Sequence, residues 1–310
     1  MKTVHRQFGI FGNTAKPEIA RVTHQLVSFL RKKKISFFVH DELAKWVNSI
    51  YSARFVSKAD MSDKNFLPQK CEVIIVLGGD GTMLQAARLT GRYGKPILGV
   101  NVGKLGFLAE ISTKDMDHCI LDMLKGDYRV EERMVLEAQN LSDKKHFYGL
   151  NDIVIDKGTT SRVISIETHV DDDYLTTYTA DGIILNTPTG STGYSLSTGG
   201  PIVVPPTQVI TINPIAPHTL TARPVIVPDS SVIRVIVHTD ARHVRLTSDG
   251  QEDRLYTTPT EFIIKKAPYT VKLVKRTKGS FYDTLRKKLL WGRDPRVRGD
   301  HKYSILFEKR

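Results

Sequence analysis

The stretch "CEVIIVLGGDGTML", residues 71–84, joins a run of apolar and β-branched residues to three glycines that enclose an aspartate. Val73 to Leu77 reads as a strand buried on both faces, as in a parallel sheet. Gly78 to Thr82 reads as a tight turn, and a helix is predicted from about Met83 to Gly91. Such strand–turn–helix corners bring backbone N–H groups and the positive end of a helix dipole to one point, which suits a phosphate. Asp80 does not suit a phosphate. Its plain alternative use is structural, with Asp80 or Thr82 capping the helix that follows. The corner is not a P-loop, because the GxxxxGK[ST] lysine is missing, and it is not the GxGxxG fingerprint.

Outward from this corner, strand and helix alternate. "QFGIFGN" reads as a strand and "KPEIARVTHQLVSFLRKKK" as a helix with Pro17 near its first turn. "ISFFVHDE" and "KPILGVNVG" are further strands, and "KDMDHCILDMLKGD" is a helix ended by Gly126. This is the βαβ rhythm of a parallel sheet covered by helices. From about Arg129 the texture changes to short runs rich in Val, Ile, Thr and Tyr, such as "RVISIETHVDD" and "SVIRVIVHT", with turn residues between them. That pattern is all-β. The expected fold is therefore α/β plus all-β: a Rossmann-like parallel-sheet domain over residues 1–128, then a β-rich, sandwich-like domain over 129–278. A basic segment, 279–310, begins with the helical "FYDTLRKKLLWG" and is expected to pack back on the first domain.

A chain of 310 residues has room for two modest domains and a substantial core. Its balance of 40% hydrophobic and 25% charged residues is that of an ordinary globular protein. No apolar run approaches the ~18–20 residues that span a bilayer. The opening "MKTVHRQFGIFGN" lacks a signal-peptide core, so a cytoplasmic location and no membrane partner are expected. Cys71 and Cys119 are too few for a disulfide framework, and Cys71, opening a buried strand, reads as packing. The formal charge is +12, and from Lys275 to Arg310 twelve Lys and Arg stand against four Asp and Glu. With no zinc-finger, helix-turn-helix or RNA-recognition signature, attraction for a polyphosphate substrate or a solvated tail explains this excess better than nucleic acid does.

Two more clusters carry chemistry. "NVGKLGFLAE", residues 101–110, places Gly103 and Gly106 after a strand. "DGIILNTPTGSTGYSLSTGGPIV", residues 181–203, runs a strand into Thr187–Ser195, where eight of nine residues are glycine or carry a hydroxyl. A flexible surface loop fits poorly between two apolar strands and the rigid "GGP". A loop built for sugars and phosphates fits better.

Taken together, "GGDGT", "LND", "DGIILNTPTGSTGYSLSTGGP", "NPIAPHTLTARPVIVP" and "FYDTLRKKLLWG" resemble the NAD kinase family from the first strand to about residue 292. GGDG alone is shared with diacylglycerol and sphingosine kinases and 6-phosphofructokinases; the long 181–203 motif is much more specific. The resemblance implies phosphorylation of the adenosine 2′-hydroxyl of NAD, with ATP or polyphosphate as donor and Mg²⁺ assisting. It also implies a homodimer or homotetramer.

Position by position, the resemblance makes Asp80 the general base, with Gly78, Gly79, Gly81 and Thr82 around the donor and NAD. Asn151 and Asp152 match the family's Asn–acidic pair, where Glu is commoner at the second position. Arg162 and Asp181 match NAD contacts. Thr192, Gly193, Tyr194, Ser195, Leu196 and Ser197 match the adenosine-side loop, with Tyr194 reaching toward a neighbouring subunit and Gly193 standing where Ala is usual. Gln251 matches a further contact. Thr179 lies where some members carry Arg, which predicts measurable use of NADH.

This resolves the aspartate in the glycine corner. Phosphoryl transfer needs neutralised donor charge and an oriented nucleophile. The amides hold phosphates, and Asp80 receives the hydroxyl proton. Two rivals remain on sequence grounds: a lipid kinase sharing GGDGT, and a non-catalytic dinucleotide-binding regulator that needs no Asp80.

Overall fold

The computed structural model describes residues 7–103, 106–239, 242–276 and 280–291. The strands Phe8–Gly12, Phe37–His40, Val73–Gly78 and Ile97–Asn101 pair in parallel, as their apolar runs predict, and the short strand Met61–Ser62, which the sequence reading did not expect, extends the sheet at its edge. Every residue of Val73–Gly78 is buried. Helices Pro17–Lys32, Asp41–Ile50 and Met116–Lys125 cover one face of this sheet, and their apolar stripes meet Phe8, Ile10, Ile75 and Leu77. Helix Asp80–Thr90 covers the other face through Met83, Leu84, Ala86 and Ala87. That helix begins at Asp80, three residues before the position expected from sequence. Gly79 and Asp80 read locally as turn formers, yet an acidic residue is favoured in a first helical turn.

The β-rich half contributes a six-stranded antiparallel sheet, in the order Val225–Pro228, Val209–Ile215, Gly182–Asn186, Asp152–Asp156, His243–Ser248, Glu252–Thr257. It packs over the antiparallel part of the larger sheet, and the core between them includes Phe147, Ile155, Ile183, Ile212, Val235 and Phe262.

One long strand, Thr260–Lys275, belongs to both halves. Its beginning pairs antiparallel with Ile233–His238, while Leu273 lies parallel to Ile97. A register shift between Lys266 and Thr270 accommodates Pro268, which cannot donate to a regular ladder. The parallel sheet of the first half and the antiparallel strands of the second are thus one 12-stranded sheet.

The helix Phe281–Leu289 opens with a capping box between Ser280 and Asp283. It buries Leu285 and sets the ring of Phe281 6.1 Å from that of Phe107, so it returns to the α/β half as the sequence predicts. The remaining basic segment, 292–310, and the 278/279 boundary lie outside the described residues. Among the described residues no helix is long and apolar enough to cross a membrane.

Candidate active site

The corner at Gly78–Thr82 is built by two different uses of glycine. A Cβ on Gly78 would lie 2.3 Å from Thr82 Oγ1, so packing excludes one. Gly79 and Gly81 are different: a Cβ on either meets nothing within 4 Å, and Gly79 has an extended backbone open to any residue. Neither packing nor conformation demands glycine there. Bare backbone at the first turn of a helix leaves N–H groups approachable by an anion.

Asp80 does not cap its own helix. Its side chain reaches across to the segment after Gly106. Oδ2 accepts the Phe107 N–H at 2.9 Å, and Oδ1 accepts those of Leu108 at 2.9 Å and Ala109 at 3.4 Å. Lys288, from the C-terminal helix, donates to Oδ2 at 3.1 Å. Gly106 permits this approach, because a Cβ there would lie 2.0 Å from Oδ1. Burial pushes the Asp80 carboxyl upward, but the Phe107 and Leu108 amides and the Lys288 ammonium more than reverse it, and the net shift is downward. Asp80 is thus an anion held in a fixed orientation.

A second feature adjoins the corner through the tip of the hairpin between His243–Ser248 and Glu252–Thr257. Gln251 donates from Nε2 to the Gly81 carbonyl at 2.8 Å. Two residues earlier, Asp249 accepts the N–H groups of Leu150 at 2.9 Å, Asn151 at 2.7 Å and Asp152 at 3.2 Å. The hairpin tip therefore carries one residue to the corner and another to the Asn151–Asp152 turn. That turn opens on a cavity of about 530 Å³ lined by Asn151, Asp152, Tyr194, Arg245 and Asp249. Burial, then the Asp249 carboxylate, pushes Asp152 up to about 7. Asp249 is also raised by burial, which its three amide donors oppose. The carboxyl groups of this cavity suit hydroxyl and amino donors, such as those of a nucleoside.

Residues 187–197 form two short helical turns, Thr189–Thr192 and Tyr194–Ser197, rather than an open loop. Thr187 Oγ1 donates to the Leu150 carbonyl at 2.6 Å. A Cβ on Gly190 would lie 2.1 Å from the Asn151 carbonyl oxygen, so glycine lets the loop sit directly on the Asn151–Asp152 turn. Gly193 faces Asn151 Nδ2 and Asp152 Oδ2. Tyr194 is 48% exposed beside the cavity. Thr192 and Leu196 are half-buried and Ser197 is exposed. Ser195 differs from its neighbours: it is fully buried, and Asn213 donates to both its carbonyl and its hydroxyl. Its side chain shapes the loop from inside.

The remaining sequence-derived residues are not gathered at Asp80 within one chain. Arg162 and Thr179 line a separate cavity with Ser165 and His238. Asp181 is paired with Lys157 at 2.7 Å, at the end of its strand pair away from Asp152.

Sequence reading missed Lys288 and Asp249, and it missed a buried pair of cations beneath the loop. Arg133 donates to Thr189 Oγ1 at 3.2 Å and pairs with Glu131 at 3.2 Å, while Lys275 pairs with Glu110 at 2.5 Å. Both cations are nearly inaccessible. Because Glu110 follows Ala109, they tie the base of the loop to the segment that cradles Asp80. The available signals were a D-G dipeptide at 249–250, which reads as an ordinary turn, and basic residues within regular periodicity, which read as solvated.

Family models cover both halves of the chain: the ATP-NAD kinase N-terminal domain matches residues 8–128 and the ATP-NAD kinase C-terminal domain residues 150–276. A relative from Bacteroides fragilis named NAD kinase is 42% identical over 295 residues, 94% of this chain and all of its own length. One from Geotalea daltonii with the same name is 39% identical, covering 93% of this chain and 99% of its own. Among solved structures, yeast NADH kinase complexed with NADH superposes with a TM-score of 0.86 at 23% identity, covering 95% of this chain and 90% of that one. An Archaeoglobus fulgidus NAD kinase in complex with ATP gives 0.72 at 22% identity, covering 92% and 98%. These two confirm the two-part fold. The lipid-kinase and regulator readings are not favoured. With both halves matched in order and relatives aligned over nearly their full length, the chain belongs to the NAD kinase family.

Proposed function

We propose that the chain transfers the terminal phosphoryl group of ATP to the adenosine 2′-hydroxyl of NAD. The bond from O2′ to the γ-phosphorus forms as the bond to the β,γ-bridging oxygen breaks. ADP leaves with the electron pair, the hydroxyl proton passes to Asp80, and the product is NADP. The observation that carries this reading is Asp80 itself, an ionised carboxylate fixed at an open glycine corner beside a carboxylate-lined cavity. Its amide partners keep it a weak base. That is sufficient, because a loose phosphoryl-transfer transition state asks mainly for an oriented nucleophile.

In this reading the donor phosphates lie on Gly79–Gly81. The adenosine side of NAD lies against Asn151, Asp152, Gly193 and Tyr194, and the backbone around Ser195 shapes that surface. Among the described residues, no group of three or more His, Cys, Asp or Glu is placed to hold a cation. Mg²⁺ would ride on the substrate phosphates, as it commonly does with one or two carboxylates nearby, and Asp80 would be the nearby carboxylate at this corner. Bound there, it would neutralise donor charge.

Arg162, Thr179 and Asp181 stand apart from the corner, and Tyr194 is half exposed. Both facts support a homo-oligomer, a dimer or tetramer, in which a neighbouring subunit presents those residues to the dinucleotide. The buried free thiols of Cys71 and Cys119 support a reducing, cytoplasmic setting. The change of texture at Arg129 supports functional divisions at 1–128, 129–278 and 279–310.

The test is NADP formation from NAD and ATP with Mg²⁺, run beside polyphosphate as donor and diacylglycerol as acceptor. Asp80→Asn keeps shape and removes the base, so turnover is expected to fall about 10²–10⁴-fold with NAD affinity little changed. Diacylglycerol phosphorylation, or an Asn variant with near-normal turnover, rejects the reading.

A further inference from the structure

The glycine corner lacks the lysine with which a P-loop grips its phosphates, and the C-terminal helix brings one to the same place. Lys288 lies 208 residues from Asp80 in sequence, yet its Nζ is 3.1 Å from Asp80 Oδ2 and 4.3 Å from the centre of the Phe107 ring. Three features hold it there: the capping box at Ser280, the buried Leu285, and the Phe281 ring against Phe107. The Lys288 side chain is 34% exposed, so the fold does not enclose it. Ion pairing with Asp80 alone would not require glycine at positions 79 and 81, the two neighbours of Asp80, where an added Cβ would meet nothing within 4 Å.

We propose that Lys288 is a catalytic residue that binds the phosphoryl donor. In this structure its ammonium rests on Asp80. When donor phosphates settle on Gly79–Gly81, the ammonium turns from Asp80 Oδ2 to a phosphate oxygen. Two consequences follow together. The donor gains a full positive charge from a protein side chain. Asp80 Oδ2 loses a donor and becomes available to the ribose hydroxyl, so the carboxylate turns into a better acceptor only once the donor is in place. Lys288 remains protonated throughout and exchanges no proton. Its three N–H donors and flexible stem suit such a move better than a planar guanidinium would. This inference rests on the donor site proposed above.

The test compares wild type with Lys288→Met and Lys288→Arg, each checked by thermal melting, for turnover and for the affinities of NAD and of a non-hydrolysable ATP analogue. Lys288→Met is expected to lose about tenfold or more in analogue affinity and about a hundredfold in turnover, with NAD affinity unchanged. Lys288→Arg is expected to recover most of the analogue affinity. The same Met substitution made in Asp80→Asn separates donor binding from mere support of Asp80. Analogue affinity is expected to fall by a similar factor there, whereas a residue that only braces the carboxylate would have no further effect. An active wild type whose Met variant binds the analogue normally, or whose deficit vanishes in the Asp80→Asn background, overturns the proposal. A wild type that makes no NADP from ATP would instead overturn the reading of the reaction.

Discussion

The side-chain amide of Gln251 is hydrogen-bonded to the backbone carbonyl of Gly81 at 2.8 Å, so a hairpin tip of the β-rich half touches the first turn of the helix that carries Asp80. This bond spans the two halves beside the glycine corner proposed above to hold the donor. Gln251→Ala removes one neutral hydrogen bond, an effect of roughly 0.5–1.5 kcal/mol. Turnover is expected to fall several-fold with little change in melting temperature. Steady-state kinetics beside a thermal melt checks this, and a loss of stability without loss of turnover would contradict it.

Gly81 gives a sharper separation of stability from activity. It sits inside a helix, where glycine is about 1 kcal/mol less favourable than alanine. No atom lies near the position of an added Cβ. Gly81→Ala is therefore expected to raise the melting temperature slightly while raising the KM for ATP, because the new methyl occupies the approach path of the phosphates. A variant equally active and more stable would show that nothing docks there.

Asp152 and Asp249 set a pH dependence. Asp152 is pushed up to about 7, by burial first and by Asp249 second, whereas an exposed aspartate titrates near 4. Between those values the folded chain retains a proton that the unfolded chain has released. Stability therefore falls as pH rises through that window and levels off above about 7. Asp152→Asn is expected to flatten this slope, and its advantage over wild type should grow from about pH 5 to about pH 8. Melting temperatures across that range measure it. An advantage that does not change with pH would rule out the coupling.

Thr179 offers a test of nicotinamide preference. It is an exposed, short, neutral side chain in a cavity shared with Arg162 and His238. The oxidised nicotinamide ring carries a positive charge that the reduced ring lacks, so a cation at position 179 biases between them. Wild type is expected to phosphorylate NADH, and Thr179→Arg to shift the ratio of kcat/KM for NAD and NADH about tenfold, equivalent to about 1.4 kcal/mol. A ratio that ignores the substitution would remove position 179 from the specificity set.

The corner and the 187–197 loop were legible in sequence because their composition violates local economy. An aspartate among glycines and a dense run of hydroxyls between apolar strands have few structural uses. The helix start at Asp80 was not legible, since Gly79 and Asp80 also signal a turn and only packing on the sheet decides between them. Ser195 is like its neighbours in sequence, and only the fold brings Asn213 to hold it from within. Lys288 and Asp249 were invisible for a different reason. Each acts on a partner about a hundred or more residues away, and local patterning registers a lysine on a helix or an Asp-Gly turn without regard to what the fold brings opposite.

The strand Thr260–Lys275 has a mechanical consequence. Many two-lobed kinases close on their substrates by swinging about a flexible linker. Here the lobes are welded by a hydrogen-bonded ladder that runs from Ile233–His238 on one side to Ile97 on the other, with Arg129–Asn140 laid along most of its length. Bending that ladder means breaking it. The hairpin tip at Asp249–Gln251 and the C-terminal helix both reach the glycine corner from outside this ladder. The same continuity predicts that the two lobes denature in a single cooperative event, read as one transition in a thermal melt.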